Sequence, residues 1–181
     1  NARPIDSTMG FTPNSGIIMS TRSGDIDSGI YPYLQNRYGL NIDEIQKMTN
    51  DESGLLAVSD FSSDMYKLLQ NESSNKKAAD AVNFFVYQVK KSIGAFAAAL
   101  GGLDSLIFSG GIGEKSPIIR SRICEGLGFL GVNIDENNNN QQAFLISDNL
   151  SRIGVHVIAT DEATTIYRQV VQLLTNKTGE Q

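Results

Sequence analysis

The sequence has 181 residues, of which 40% are hydrophobic and 19% are charged, as is typical of one globular domain. The net charge is −5 and the 15 lysines and arginines are scattered, which argues against a nucleic-acid partner, because binding to a phosphate backbone needs a basic stripe. No apolar run is long enough to cross a bilayer, and the start NARPIDSTMG lacks a signal-peptide pattern. Cys124 is the only cysteine, so no internal disulfide can form, and we expect a cytoplasmic protein.

The first part of the chain contains short elements. Residues 16–20 (GIIMS) have the composition of a short strand, between glycines and prolines. Residues 27–51 have a helical pattern whose start Asp27 or Ser28 could cap. Residues 60–72 predict another short helix.

The clearest predicted element is a helix over residues 75–100. Apolar residues recur at positions 78, 82, 85, 86, 89, 93, 96, 97 and 100, which is the spacing of one helical face. Gly101 and Gly102 follow and are expected to end the helix.

Strands and helices alternate in the last third of the chain. The pattern predicts a buried strand at 105–109, a glycine loop, and a helix over about 117–126, with Ser116 as its cap and Pro117 at its first position. Residues 133–142 (NIDENNNNQQ) are polar and predict an exposed loop. A strand over 154–159 and a helix from 161 to about 174 complete the series. This alternation predicts an α/β layered architecture with short loops between strands and helices.

The glycine segment FSGGIGEKS, residues 108–116, resembles a phosphate-binding loop at first sight. A Walker motif needs lysine directly after glycine, whereas Lys115 follows Glu114. The dinucleotide fingerprint also fails, because Ser116 occupies the position of its third glycine. What remains is a strand, a glycine turn and a capped helix. This pattern suits either a bare backbone surface for a ligand or a tight structural turn.

Two charged positions are further candidates. Arg22 lies in a Thr-Arg-Ser-Gly turn beside Asp25 and Asp27, and arginine can grip phosphate or carboxylate with two hydrogen bonds. A structural Arg–Asp pair is the favoured interpretation of that turn taken alone. The stretch IATDEATT, residues 158–165, has carboxylates at a strand-to-helix junction, where they suit either a magnesium ion or the positive end of the helix dipole.

The remaining reactive residue types indicate no catalytic set. His156 is the only histidine, and alternation along its strand predicts that it lies on one sheet face without a serine–histidine–acid arrangement. Cys124 lies among apolar helical residues, where a buried structural role is expected.

Four stretches read together carry a resemblance to a known family. DSTMGFTP followed by TRSGDID, then SGLLAVSDFSSD, FSGGIGEKSPIIRSRI and VIATDEATTIYR, stand in the same order as in the acetate kinase (acetokinase) family. Along nearly its whole length the chain resembles the C-terminal half of that family. The first stretch is the most specific, because the family has a closely similar run.

The resemblance implies a fold and a reaction. The fold would be ribonuclease-H-like, of the actin-like ATPase type (acetate and sugar kinase, Hsp70, actin), with a mixed sheet and flanking helices. All 181 residues would form the C-terminal nucleotide-binding and dimerisation domain of a two-domain kinase. The family transfers the γ-phosphoryl group of ATP to acetate with Mg²⁺, reversibly, and acts as a homodimer.

Site residues are carried over from the same resemblance. Arg22 matches the arginine that stabilises the transferring phosphoryl group, and Glu162 matches the carboxylate associated with magnesium. The residues that match nucleotide-contacting segments are Asp64, Met65 and Tyr66, together with Gly111, Ile112, Gly113, Glu114 and Lys115.

The chain departs from the family at several positions. The family usually has arginine where Tyr66 stands, asparagine where Lys115 stands and asparagine where Asp161 stands, and Asn14-Ser15 replaces a usual Leu-Glu pair. An aromatic ring at position 66 could still stack on adenine, so these differences bear on nucleotide affinity or preference.

The resemblance also assigns essential catalytic groups to an N-terminal half that these residues do not include. We therefore expect the 181 residues alone to have essentially no kinase turnover, because losing one preorganised charge costs about a hundredfold or more in rate. Propionate kinase of the same family is an alternative, and so is a non-catalytic nucleotide-binding or dimerisation module. The run Met9 to Pro13 favours the acetate and propionate branch over butyrate kinase.

Overall fold

The computed structural model describes residues 3–177, with the side chains of residues 3–175. Within this range helices flank a small parallel sheet, so the predicted α/β class is confirmed. The helices are α1 (Ile30–Tyr38), α2 (Ile42–Asp51), α3 (Gly54–Ser59), α4 (Met65–Asn71), α5 (Lys76–Leu100), α6 (Gly110–Lys115), α7 (Pro117–Cys124), α8 (Glu136–Asn140) and α9 (Glu162–Lys177), with a 3-10 turn at Gly128–Leu130. The strands are β1 (Ser105–Phe108) and β2 (Gly154–Val157).

Helix α5 is the central element and matches its prediction closely. The side chain of Asn75 accepts hydrogen bonds from the main-chain nitrogens of Lys77 and Ala78, at 3.0 and 3.2 Å, and so caps the start of the helix. Gly101 adopts a left-handed conformation (φ 76°) and ends it, as the sequence predicts. The apolar face of α5 packs against α3, α4 and α7, and Val82 on this face is fully buried.

The sheet places two loops side by side. β1 and β2 are parallel and in register from Ser105 opposite Gly154 to Phe108 opposite Val157. Outside the two strands, Leu145 forms an isolated antiparallel bridge to His156. Because β1 and β2 are parallel, their carboxyl ends lie at the same edge, and the chain enters α6 and α9 from there.

One continuous core joins the helices to the sheet. Its members are apolar side chains from most elements of the described chain, including Leu55, Leu68, Val82, Ile119, Ile146 and Val155, each no more than 1% exposed. Removing a large aliphatic side chain from such a core costs about 2–5 kcal/mol. The elements that surround the candidate site therefore rest on a packed interior.

The N-terminal part differs from its predictions. Residues 16–20 form no strand, and the helical pattern of 27–51 is divided into α1 and α2 at Gly39, which is left-handed (φ 69°). The predicted cap of the first helix is wrong, since Gly29 precedes α1 without a side-chain cap, whereas Asn41 caps α2 in a capping box with Glu44. The predicted helix at 60–72 is shorter and comprises only α4.

Two predictions in the C-terminal part are also corrected. The polar segment 133–142 is not simply an exposed loop, because it contains α8 and the fully buried side chain of Asn139. Strand β1 is buried on one side only: Phe108 faces the core, whereas Ile107 is 55% exposed. Strand alternation sends neighbouring side chains to opposite faces, and the outer face of β1 is open in the described chain.

Candidate functional site

A cleft of about 270 Å³ lies between the start of α4 and the junction of α6 and α7. It brings together the two segments that the resemblance assigns to nucleotide contact, which are 45 or more residues apart in sequence. The residues lining it are Ser20, Ser63, Asp64, Met65, Tyr66, Leu69, Gly111, Ile112, Lys115 and Ser116. Six of the eight residues assigned to nucleotide contact therefore share one concave surface: Asp64, Met65, Tyr66, Gly111, Ile112 and Lys115.

The α4 wall of this cleft is fixed at its first turn. Asp64 caps the helix, since its Oδ1 accepts a hydrogen bond from the main-chain nitrogen of Tyr66 at 3.0 Å. Met65 is buried in the core, whereas Tyr66 is 67% exposed. The cap and the buried methionine hold the helix, and the neighbouring tyrosine ring stays free to meet a flat ligand in the cleft.

The opposite wall of the cleft is formed by residues 110–115, here called the glycine wall. These residues form the short helix α6 and not the predicted loop. Gly110 turns the chain out of β1 with φ 72°, which suits glycine. A Cβ on Gly111 would have no heavy atom within 4 Å, so the backbone here opens onto free space. A Cβ on Gly113 would lie 3.4 Å from the main chain of Phe108, so Gly113 serves the packing of α6 on β1.

Glu114 does not line the cleft. Its Oε1 accepts hydrogen bonds from the main-chain nitrogen of Gly110 at 2.7 Å and from the nitrogen and hydroxyl of Thr160, both at 2.9 Å. These bonds, above all the one from the Thr160 nitrogen, lower the pKa of Glu114 below its ordinary value. Hydrogen-bond donors stabilise the ionised form of a carboxyl group, so Glu114 is a carboxylate at neutral pH.

A buried arginine supports the glycine wall from behind, and sequence reasoning missed it. Arg120 on α7 is fully buried, and its Nη1 donates to the carbonyl oxygens of Gly113 and Glu114 at 2.8 and 2.7 Å. Its Nε and Nη2 donate to the side-chain and main-chain oxygens of Asn139 at 2.8 and 2.7 Å. Burial lowers the pKa of Arg120, but the ordinary value is so high that the guanidinium remains charged.

No sequence signal identifies this support. Arg120 stands between Ile119 and Ser121 in a helix with charged neighbours, and Asn139 stands within a run of asparagines. Each residue type is mostly exposed in proteins, and only the fold brings this pair together.

Ser116 and Pro117 form the corner between α6 and α7 as predicted. The Ser116 hydroxyl accepts a hydrogen bond from the main-chain nitrogen of Ile119 at 3.4 Å, and Pro117 occupies the first position of α7. The serine therefore acts as a helix cap.

Arg22 lies in a loop that packs on the start of α3. The main-chain nitrogens of Ser53, Leu55 and Leu56 donate to carbonyl oxygens of residues 19–21. Gly54 makes this approach possible, since a Cβ there would collide with the main chain of Met19 and Arg22. Ser20 of the same loop lines the cleft.

The predicted Arg–Asp pair is not formed. Arg22 is exposed, and within the described residues no carboxylate lies at ion-pair distance from it. Asp25 instead accepts from the nitrogen of Gly16 and Asp27 from that of Gly29, each at 2.7 Å. The guanidinium of Arg22 is therefore available to an anion.

Glu162 begins α9 at the carboxyl edge of the sheet. Asp161 precedes it and accepts a hydrogen bond from the main-chain nitrogen of Thr164 at 3.0 Å. Hydrogen bonding to the side chain of Thr164, and then to its main-chain nitrogen, lowers the pKa of Asp161. Glu162 itself is exposed. Within the described chain its carboxylate is therefore open to a ligand.

The described residues fit one mode of magnesium binding. Among them no three His, Cys, Asp or Glu side chains group as a metal cage. Mg²⁺ in phosphoryl-transfer sites usually takes only one or two carboxylates and completes its shell with waters and substrate phosphates. The exposed carboxylate of Glu162 is suited to be such a single protein ligand.

Other candidate features carry no predicted site residue. A larger cleft of about 460 Å³, lined by residues such as Thr12, Asp25, Tyr31 and Ile45, contains none of the predicted site positions. His156 packs beside Phe144, with ring centroids 5.1 Å apart, and its Nδ1 has no hydrogen-bond partner in the described chain. Cys124 is buried, as predicted, and burial raises the pKa of its thiol to about 12. No helix within residues 3–177 is long and apolar enough to span a membrane.

Comparison with known proteins gives a consistent result. The model of the Acetokinase family matches residues 1–168. An acetate kinase of Symbiobacterium thermophilum is 42% identical over 178 residues, which cover 97% of this chain and 45% of that protein. A propionate kinase of Citrobacter rodentium is 41% identical over 172 residues, or 94% of this chain and 43% of that protein.

A solved structure agrees with these sequence relatives. The crystal structure of Porphyromonas gingivalis acetate kinase superposes with a TM-score of 0.85 at 36% identity, and covers 92% of this chain and 43% of that one. The chain thus spans somewhat less than half the length of the relatives it matches.

Proposed function

The chain belongs to the acetokinase family, and on this premise we propose that it is the C-terminal, nucleotide-binding part of a kinase that acts on acetate. The members of this family with solved structures have the actin-like ATPase fold that the resemblance implied. The proposed reaction moves the γ-phosphoryl group of ATP to acetate and gives acetyl phosphate and ADP, reversibly. One observation carries the proposal: residues 64–66 meet Gly111, Ile112 and Lys115 in the cleft.

The cleft suits an adenosine group. Tyr66 offers an exposed aromatic ring, and Gly111 leaves its backbone open to a flat ligand. Apolar side chains of Met65, Leu69 and Ile112 also line the space. A largely apolar cleft with a few polar groups is the usual form of a small-molecule site.

Phosphoryl transfer needs charge neutralisation more than it needs covalent chemistry from the protein. A carboxylate oxygen of acetate forms a bond to the γ-phosphorus while the bond to the β–γ bridging oxygen breaks and ADP leaves. We assign to Arg22 the neutralisation of negative charge on the transferring group, for which its exposed guanidinium, without a carboxylate partner in the described chain, is suited. Glu162 would hold Mg²⁺, which neutralises charge on the phosphates when bound.

The length of the chain limits what these residues do alone. Because the chain spans less than half of its relatives, we propose that turnover requires the remainder of a longer protein and that residues 1–181 have essentially none. Homodimerisation through this domain is part of the same proposal, and sedimentation equilibrium would detect it. Propionate is the alternative substrate, since a propionate kinase is among the relatives of similar identity.

ATP binding to the chain tests the cleft directly. We expect calorimetry to show that the wild type binds ATP. We expect the affinity for ATP to fall tenfold or more in Gly111→Leu, because the new side chain would occupy the cleft. Gly94→Leu on α5 is the matched control, since a Cβ there also meets no heavy atom within 4 Å and Gly94 is not among the cleft residues. Equal binding by both variants and the wild type would contradict the assignment of the cleft.

A further inference from the structure

The carboxylate of Glu114 joins the two loops that follow the parallel strands. Its Oε1 accepts from Gly110, the first residue of α6, at 2.7 Å. The same oxygen accepts from the main-chain nitrogen and the hydroxyl of Thr160, each at 2.9 Å, in the loop that follows β2. One charged oxygen thus links the glycine wall of the cleft to the loop before α9 through hydrogen bonds.

This connection lies close to the candidate magnesium ligand. Thr160 is two residues before Glu162 in sequence, and Asp161 between them starts α9 through its bond from Thr164. The body of α9 exposes Ile166, Tyr167 and Val170, so packing against the described chain does little to fix this helix. The position of Glu162 therefore depends strongly on contacts made by the loop before it.

The two sides of the connection are held by different contacts. α6 is held by the buried guanidinium of Arg120, which donates to the carbonyl oxygens of Gly113 and Glu114. The β2 loop is held by the hydrogen bond from the nitrogen of Ile158 to the oxygen of Phe108, at 2.9 Å, and beyond it by Glu114. Hydrogen bonds to a charged acceptor are stronger than neutral ones, which suits this oxygen to hold a loop.

We propose that Glu114 is a positioning residue that holds the Glu162-bearing start of α9 at a fixed place relative to the nucleotide cleft. It acts through Thr160 and does not touch the nucleotide. This assignment differs from the direct nucleotide contact that the family resemblance implies for Glu114. The inference rests on the proposed function, because it assumes that the cleft takes the nucleotide and that Glu162 takes the metal.

Magnesium dependence separates positioning from direct contact. In the full-length enzyme, ATP binding is measured by calorimetry once with EDTA and once with Mg²⁺, in the wild type and in Glu114→Ala. We expect metal-free ATP to bind both proteins within twofold. We expect the affinity for Mg–ATP to fall about tenfold or more in the variant, as is common when a residue that orients a metal ligand is removed.

A second pair of variants tests the same connection from the other loop. Thr160→Val removes the hydroxyl donor and keeps the main-chain donor, so we expect a smaller loss of Mg–ATP affinity, about threefold. Thr160→Ser keeps both donors and should bind like the wild type. Glu125→Ala is the matched acidic control, because Glu125 is an exposed glutamate that lies outside the cleft.

The possible outcomes lead to different conclusions. An equal loss of affinity for metal-free ATP and for Mg–ATP in Glu114→Ala would overturn the proposal and favour direct contact with the nucleotide. Unchanged affinity in both conditions would overturn it as well. If Glu114→Ala does not fold, the two Thr160 variants test the proposal instead. Equal affinity of Thr160→Val and Thr160→Ser for Mg–ATP would then reject it. A wild type that binds no ATP would instead reject the proposed function.

Discussion

The guanidinium of Arg120 donates to both oxygens of Asn139 inside the core, from Nε to the side-chain oxygen at 2.8 Å and from Nη2 to the main-chain oxygen at 2.7 Å. The amide nitrogen of Asn139 in turn donates to the carbonyl oxygen of Pro117 at 3.0 Å. A charged group is retained in this interior because polar partners surround it, and the same group supports the glycine wall of the cleft.

The run of asparagines at 137–140 should respond unequally to substitution. Asn139→Ala leaves the buried Nε of Arg120 without its acceptor, so we expect a loss of about 2 kcal/mol or more in the free energy of unfolding. Asn140→Ala is the control, since Asn140 is exposed and should change stability by less than about 0.5 kcal/mol. Urea unfolding followed by circular dichroism measures both. Equal effects would contradict the structural role of Asn139.

Tyr66 should contribute to nucleotide binding through its ring. Tyr66→Ala removes the stacking surface, and stacking of a base on an aromatic side chain is worth about 1–3 kcal/mol, so we expect ATP affinity to fall roughly 5- to 150-fold. Tyr66→Phe keeps the ring and should bind ATP like the wild type. Tyr87→Ala controls for loss of an exposed tyrosine, since Tyr87 is 62% exposed and lies outside the cleft. Calorimetry with ATP gives the comparison, and an unaffected Tyr66→Ala variant would reject stacking.

The ion pair between Glu72 and Arg122 should make stability depend on pH. The two terminal guanidinium nitrogens of Arg122, Nη1 and Nη2, donate to the carboxylate at 2.7 and 2.6 Å, and this bonding lowers the pKa of Glu72 below its ordinary value of 4.5. The stabilisation is therefore fully present above pH 4.5 and is lost as the pH falls through the lower pKa of the folded state.

Glu72→Gln measures this contribution. At pH 7 we expect the variant to be less stable by about 1.5 kcal/mol, because it loses a charged acceptor for a part-buried arginine. The difference from the wild type should shrink as the pH falls below 4.5, where the wild-type carboxyl group is protonated first in the unfolded state and then, at lower pH, in the folded state. Asp80→Asn breaks the more exposed pair with Lys76 and should cost less than about 0.5 kcal/mol. A pH-independent difference for Glu72→Gln would contradict the assigned pKa shift.

Elements with strong local signals were predictable from the sequence. The helical face of α5 carries its own periodicity, and its ends are marked by Asn75 and Gly101, so its observed bounds differ little from the prediction. The corner at Ser116 and Pro117 was predictable for the same reason, because cap and first-turn preferences act over a few residues.

Features that depend on tertiary contacts were not predictable. The segment 108–116 has the glycine content of a loop, yet residues 110–115 form α6, and the carbonyls at its end are held by Arg120 from the next helix. The buried side chain of Asn139 depends on the same arginine. The outer face of β1 is exposed because, in the described chain, the core packs on only one of its two faces.

The resemblance named residues that the fold brings to one cleft, but not what each of them does there. The resemblance named both walls of the cleft, and the structure brings most of these residues together. It did not distinguish Gly111, which opens onto the cleft, from Gly113, which packs on Phe108. The two glycines differ in the direction in which a Cβ would point, towards open space at Gly111 and towards Phe108 at Gly113. A sequence motif does not contain this information.

The register of the two parallel strands fixes how many residues can lie between Val157 and Thr160. Phe108 pairs with Val157, and the next nitrogen, that of Ile158, bonds to the oxygen of Phe108. An extended chain advances about 3.3 Å per residue, so deleting or inserting one residue here would carry Thr160 past the reach of Glu114. Substitutions that keep the main chain in place preserve the nitrogen donor of Thr160. This short segment should therefore tolerate changes of residue type far better than changes of length.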